Sequence, residues 1–238
     1  MGFRIFVLLP ALYISCTNHR AVPPHIMSST VNAEDSLKKP YKEFLNEVDS
    51  SRKVLKGSLS RAVDSMKPEV LRKAGSYLVQ LLANEFFQYW QGTPWDFNGS
   101  SEEPGKGTIA CGYFVTTLLR DAGYPLNRVR LAICPSMTMM KALTSAKDVK
   151  NLSAMSYSEF CSNIKKAGEN IYIAGLDYHT GFIVNDGTDQ WFLHSNYTNK
   201  KGVVKERLET SAALRSSETR YITCLSRNEK FLSSWLLK

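Results

Sequence analysis

HTGFIVNDGTDQWFLH, residues 179–194, carries a histidine at each end and the pair Asp186-Gly187 near its middle. Asp-Gly is a favoured pair for two-residue hairpin turns, and apolar positions alternate on both sides of it, so the stretch reads as a β-hairpin. If Asp186-Gly187 forms the turn, Asn185 opposes Thr188 and His179 opposes His194, with Cβ atoms about 5 Å apart on one face of the ribbon. The chain has only four histidines, and the other two, His19 and His25, lie near the N-terminus.

Outward from the hairpin, 171–176, 202–207 and 220–225 also read as short strands. A terminal amphipathic helix carries Phe231, Leu232, Trp235 and Leu236. Before residue 170 the period is helical. Phe44, Val48, Leu55, Leu59 and Val63 recur across 40–66, and Leu71, Ala74, Leu78, Leu81, Leu82 and Phe86 across 68–90, a pattern that predicts a helical hairpin. A Gly- and Pro-punctuated loop runs from Gly92 to Gly107. A helix then starts at Cys111, carries Phe114, Val115, Leu118, Leu119 and Ala122, and stops at Gly123 with Pro125 beyond. Weaker helical patterns follow at 135–145 and 156–167. Helices first and an antiparallel sheet afterwards indicate the α+β class.

The 238 residues are 43% hydrophobic and 22% charged with a formal net charge of +8, a balance that excludes collagen-like, coiled-coil and wholly disordered chains. No run reaches the ~20 apolar residues of a membrane span. The basic residues are scattered, which suits a solvated surface and gives no nucleic-acid site. Residues 1–15 read as a signal peptide: Arg4, then an apolar run over 5–14, ending in Tyr13-Ile14-Ser15-Cys16. That ending resembles a bacterial lipoprotein signal, which implies lipidation at Cys16 and a membrane anchor, although Tyr13 stands where such signals usually have Leu. Residues 16–39, with Pro23-Pro24 among polar side chains, read as a tether, and 40–238 as one domain with a helical part (40–90) and a core (91–238).

Cys111 is the candidate nucleophile. It opens a helix behind a glycine-rich loop, where free N–H groups and the positive end of the helix dipole favour thiolate and can stabilise an oxyanion. His179 is placed to exchange its proton and His194 to orient His179. Cys134, Cys161 and Cys224 read as small buried apolar residues. A Cys/His/His set can also bind zinc, but no CxxC, HxxxH or HxH spacing supports a metal, and no cofactor is implied.

Gly92-Thr-Pro-Trp-Asp-Phe-Asn-Gly, the run from Ile109-Ala-Cys-Gly-Tyr-Phe onward, His179-Thr-Gly-Phe-Ile-Val and Trp191-Phe-Leu-His194 together resemble the NlpC-type cell-wall cysteine peptidases. The resemblance covers about 90–195. It implies a papain-like fold and a Cys111–His179–His194 triad that hydrolyses amide bonds in peptidoglycan stem peptides at the periplasm-facing envelope. It also implies a substrate cleft at Trp95, Asp96, Gly112, Tyr113 and Tyr178. The chain departs from the family at Ala110, where an Asp is usual, and at Gly112-Tyr113, where Ser-Gly is usual. Two alternatives share these residues: a papain-like acyltransferase or lipid hydrolase, and an inactive lipoprotein that binds wall fragments.

Overall fold

The computed structural model describes residues 39–238; the signal, tether and Cys16 readings fall outside the described residues, apart from Lys39. Helix α1 (Tyr41–Arg61) is followed by α2 (Lys67–Gln80), which runs through one π-helical turn at Leu81–Glu85 into α3 (Phe86–Trp90). These form the expected hairpin: Phe44 meets the Phe86 ring edge-on at 5.0 Å, and Tyr41 lies against Trp90. The π turn is not visible in the apolar spacing. The Ala83 carbonyl, within the turn, accepts a hydrogen bond from Lys205 Nζ at 3.2 Å.

After the loop come α4 (Cys111–Asp121), α5 (Arg128–Ala132), α6 (Ser136–Leu143), the short strand β1 (Val149–Asn151) and α7 (Tyr157–Lys166). Strands β2 (Asn170–Gly175), β3 (Thr180–Asn185), β4 (Gln190–Asn196) and β5 (Gly202–Arg207) follow, then α8 (Ala212–Arg215), β6 (Tyr221–Cys224) and α9 (Glu229–Leu237). The sheet order is β1-β6-β2-β3-β4-β5, with every pair antiparallel. The α+β class holds. Of the regular elements, the sequence pattern omits β1, α5 and α8, each five residues or fewer and too short to show a period.

Both faces of the sheet are covered, which is why β2 and β3 are buried along their whole length. On one face Ile171, Ile173, Phe182, Val184 and Leu193 meet the side chains of α1–α4, α6 and α9. On the other, Tyr172, Ile183, Phe192 and Ile222 meet Phe160 and Ile164 of α7 and Leu214 of α8. Trp90 and Trp235 are fully buried with their polar edges satisfied. Trp90 Nε1–H donates to the Tyr41 hydroxyl, which donates to Asp121, and Trp235 Nε1–H donates to the Ala122 carbonyl. Truncating either indole to Ala costs ~3–5 kcal/mol by the usual loss of buried area and the cavity left behind. The first pair of bonds ties α1 and α3 to the C-terminal end of α4, where α9 also bonds, and 40–90 is packed into the same core as the rest.

The β3–β4 turn differs from the two-residue form expected. Asn185 pairs with Gln190 and Ile183 with Phe192, leaving four residues, 186–189, in the connection. The Asp186 carboxylate accepts from the N–H groups of Thr188 and Asp189, and the Asp186 N–H donates to the Asp189 carbonyl. This side-chain closure stabilises a longer turn than the Asp-Gly pair alone specifies. The partner of each residue moves by two positions, so every side chain stays on the face expected for it.

Candidate active site

Continuing that register, His194 faces Gly181 rather than His179. The two histidines are diagonal neighbours, and the rings still meet: His179 Nε2 lies 2.6 Å from His194 Nδ1, with ring centroids 4.9 Å apart. Gly181 makes this possible. A Cβ there would come within 2.7 Å of His194 Cβ and 2.8 Å of the Phe192 ring. His194 stacks on Phe192 at 4.2 Å and His179 meets the same ring edge-on, so one buried phenyl contacts both imidazoles. His194 is wholly buried and His179 nearly so.

Cys111 is the first residue of α4 and is half-buried. Helix α4 packs on β3 and β4. The backbone N–H groups of Cys111, Gly112 and Thr180 are turned toward the thiol; Thr180 is the residue that follows His179. The loop before Cys111 is held at several points. Gly92 N–H bonds the Val203 carbonyl and Val203 N–H the Thr93 carbonyl. Ala110 N–H bonds Gly99, and Ser195 of β4 donates to the Ile109 carbonyl at 2.6 Å. Buried Arg128 donates to Thr117 of α4 and to the Ser100 and Ser101 carbonyls, tying the loop to the nucleophile helix. Ala110, the N-cap, offers no side-chain acceptor to the first turn of α4.

The electrostatics correct one expectation. The three N–H groups do favour thiolate, but burial outweighs them and pushes the Cys111 thiol above its ordinary 9.0. Burial, with the neighbouring His194 adding to it, holds His179 well below its ordinary 6.5; burial also lowers His194, against the pull of Glu206. Desolvation disfavours charge on both the thiol and the imidazoles. Each group, Cys111 and His179, is therefore neutral near pH 7.

Beyond the pair, His194 Nε2 lies 3.3 Å from Glu206 Oε2 on β5. Asn196 Nδ2–H donates to the other carboxylate oxygen, and Lys201 lies 3.5 Å from it. Glu206 was not singled out in the sequence. Its one signal was even spacing along a predicted strand, and the β4–β5 register that gives this meaning cannot be read from the chain. Tyr197 was missed as well: its ring lies 5.1 Å from His179 and 6.3 Å from Trp95.

Of the expected cleft residues, Trp95 is half-buried against Tyr197, beside the histidines, and Tyr178 is 96% exposed next to His179. Asp96 caps its own loop, accepting from Asn98 N–H. Tyr113 lies under the Arg128 guanidinium at 4.8 Å. Gly112 is buried against α5, where a Cβ would come within 2.1 Å of the Ala132 carbonyl, so its side of the helix is a packing surface and only its N–H faces the sulfur. Cys134, Cys161 and Cys224 are half-buried rather than fully buried as expected. Among the described residues no group of His, Cys, Asp or Glu side chains is arranged to hold a metal ion, and no helix is long and apolar enough to cross a membrane.

No family model, curated protein or solved structure matches the chain.

Proposed function

We propose that the chain is a papain-like cysteine hydrolase of the NlpC type, tethered to the membrane through Cys16 and facing the periplasm, that cuts amide bonds in peptidoglycan stem peptides. The observation that carries the reading is the 2.6 Å contact between the buried His179 and His194 rings, with the residue after His179 turning its N–H toward Cys111, the cysteine that opens α4.

In this reading the Cys111 proton passes to His179 as sulfur attacks the scissile carbonyl. The N–H groups at the start of α4 take the developing oxyanion. His179 returns the proton to the leaving amine, the C–N bond breaks, and a thioester remains on Cys111. Water, giving its proton to His179, then releases the acid and restores the thiol. Starting from a neutral pair places the proton transfer inside the attack step. Trp95, Tyr178 and Tyr197 supply aromatic surface beside the histidines for the peptide. The net charge of +8 aids the approach of carboxylate-rich stem peptides, an effect that salt weakens.

The test is digestion of purified muropeptides by the wild type and by Cys111→Ala, with products weighed by mass spectrometry. New fragments that gain one water and are absent with the variant support the reading. Identical products from both, or none across a broad panel that includes acylated lipids as a second arm, overturn it.

A further inference from the structure

The imidazole pair ends on a carboxylate, and the three side chains form one chain of contacts from the residue before β3 through β4 to β5. We propose that Glu206 is a positioning residue that fixes the protonation pattern of both imidazoles, so that the free lone pair lies on His179 Nδ1, the atom available to the Cys111 proton. This deepens the hydrolase reading and rests on it for the role of Cys111 alone.

The argument follows from what each atom can donate. An ionised carboxylate only accepts, so His194 Nε2, 3.3 Å from Glu206 Oε2, must carry its hydrogen. Neutral His194 then has a bare Nδ1, and the 2.6 Å contact across to His179 requires a hydrogen on His179 Nε2. Neutral His179 is left with its lone pair on Nδ1. The opposite assignment would set the His194 Nε2 lone pair against carboxylate lone pairs. Glu206 stays ionised throughout the neutral range: its hydrogen bond to His194 holds its pKa down to about 2. Asn196 and Lys201 engage Oε1, leaving Oε2 to His194.

The same chain disperses charge. When His179 takes the thiol proton on Nδ1, its Nε2 hydrogen can move to His194 Nδ1, and the cation then sits beside the carboxylate. Lys201, the other charged group near His194, opposes that cation, and Glu206 offsets it.

The experiment uses the full chain labelled with ¹⁵N-histidine, in long-range ¹H–¹⁵N correlation spectra recorded at about pH 8, where histidine is neutral, and through an acid titration. In the wild type both rings are expected to carry hydrogen on Nε2 and a pyridine-type Nδ1. Glu206→Ala is expected to populate the Nδ1–H form of both rings. Glu206→Gln, which keeps an acceptor oxygen and loses the charge, is expected to lower the pH at which the pair takes its first proton by about one unit. An Nδ1–H ring in the wild type, or a titration unmoved by Glu206→Gln, overturns the proposal, and the Gln variant decides if the Ala variant does not fold. No substrate enters the measurement, so failure of the muropeptide digestion leaves it standing, whereas hydrolysis by a protein with unmoved ring spectra overturns this inference and not the hydrolase reading.

Discussion

Two half-buried cysteines lie toward opposite ends of one sheet, and burial raises both thiols above 9.0. Cys224, on β6, uses its sulfur as a donor: Sγ lies 3.5 Å from Asn170 Oδ1, and Ser226 Oγ donates to the same oxygen at 3.2 Å. The N–H groups of Ser226 and Arg227 are turned toward the same sulfur. Cys111, opening α4 beside the start of β3, has three backbone N–H groups turned toward its sulfur, one of them from Thr180, the residue after buried His179. Burial alone therefore does not distinguish a reactive thiol. Nor do backbone N–H donors, which face both sulfurs; what differs is the buried histidine, His179, that adjoins the Thr180 N–H beside Cys111.

The sharpest way to break this contrast is to remove the base. His179→Gln is expected to lower kcat for muropeptide hydrolysis on the order of 10³–10⁴-fold, while Cys224→Ala leaves kcat within about twofold. Equal losses in the two variants would put catalysis elsewhere.

The Cys224 end should answer in stability instead. Gly75 of α2 packs so closely on the chain after β6 that a Cβ would come within 1.9 Å of the Ser226 carbonyl. Gly75→Ala is expected to cost about 3 kcal/mol in chemical denaturation by overpacking, with kcat of the folded fraction unchanged.

Acid sharpens the comparison at the other end. The folded-state pKa values of His179 and His194 lie below 6.5, so the unfolded chain binds protons first, and stability falls as pH drops through and below 6.5. Glu206, lowered from 4.5 to about 2, contributes stability above 4.5 that is lost as pH falls toward 2. The double variant His179→Gln/His194→Gln is expected to flatten the upper part of this decline in denaturant midpoints measured between about pH 7 and pH 5. Cys224→Ala should leave the slope unchanged.

What the sequence made legible at the two ends differs for the same physical reason. Helix α4 was readable because its signals are local: a glycine-rich loop, an apolar stripe and Gly123 at its end. The face of the histidines was also readable, because period-2 alternation survives a two-residue change of register. The register itself was not, since the Asp186 carboxylate closes a longer turn, and neither was Glu206, which reaches His194 only through the β4–β5 pairing. The thiolate expectation failed because the N–H groups at a helix start can be anticipated from the chain, whereas the burial of the sulfur cannot.

The most direct test of the claim that Cys111 is the nucleophile served by His179 is modification by a stem-peptide analogue carrying a thiol-reactive electrophile, mapped by peptide mass spectrometry. Adducts are expected on Cys111 alone among the four cysteines of the described residues, forming at least about 100-fold more slowly in His179→Gln. Comparable labelling of Cys111, Cys134, Cys161 and Cys224, or a Cys111 rate indifferent to His179→Gln, would contradict it.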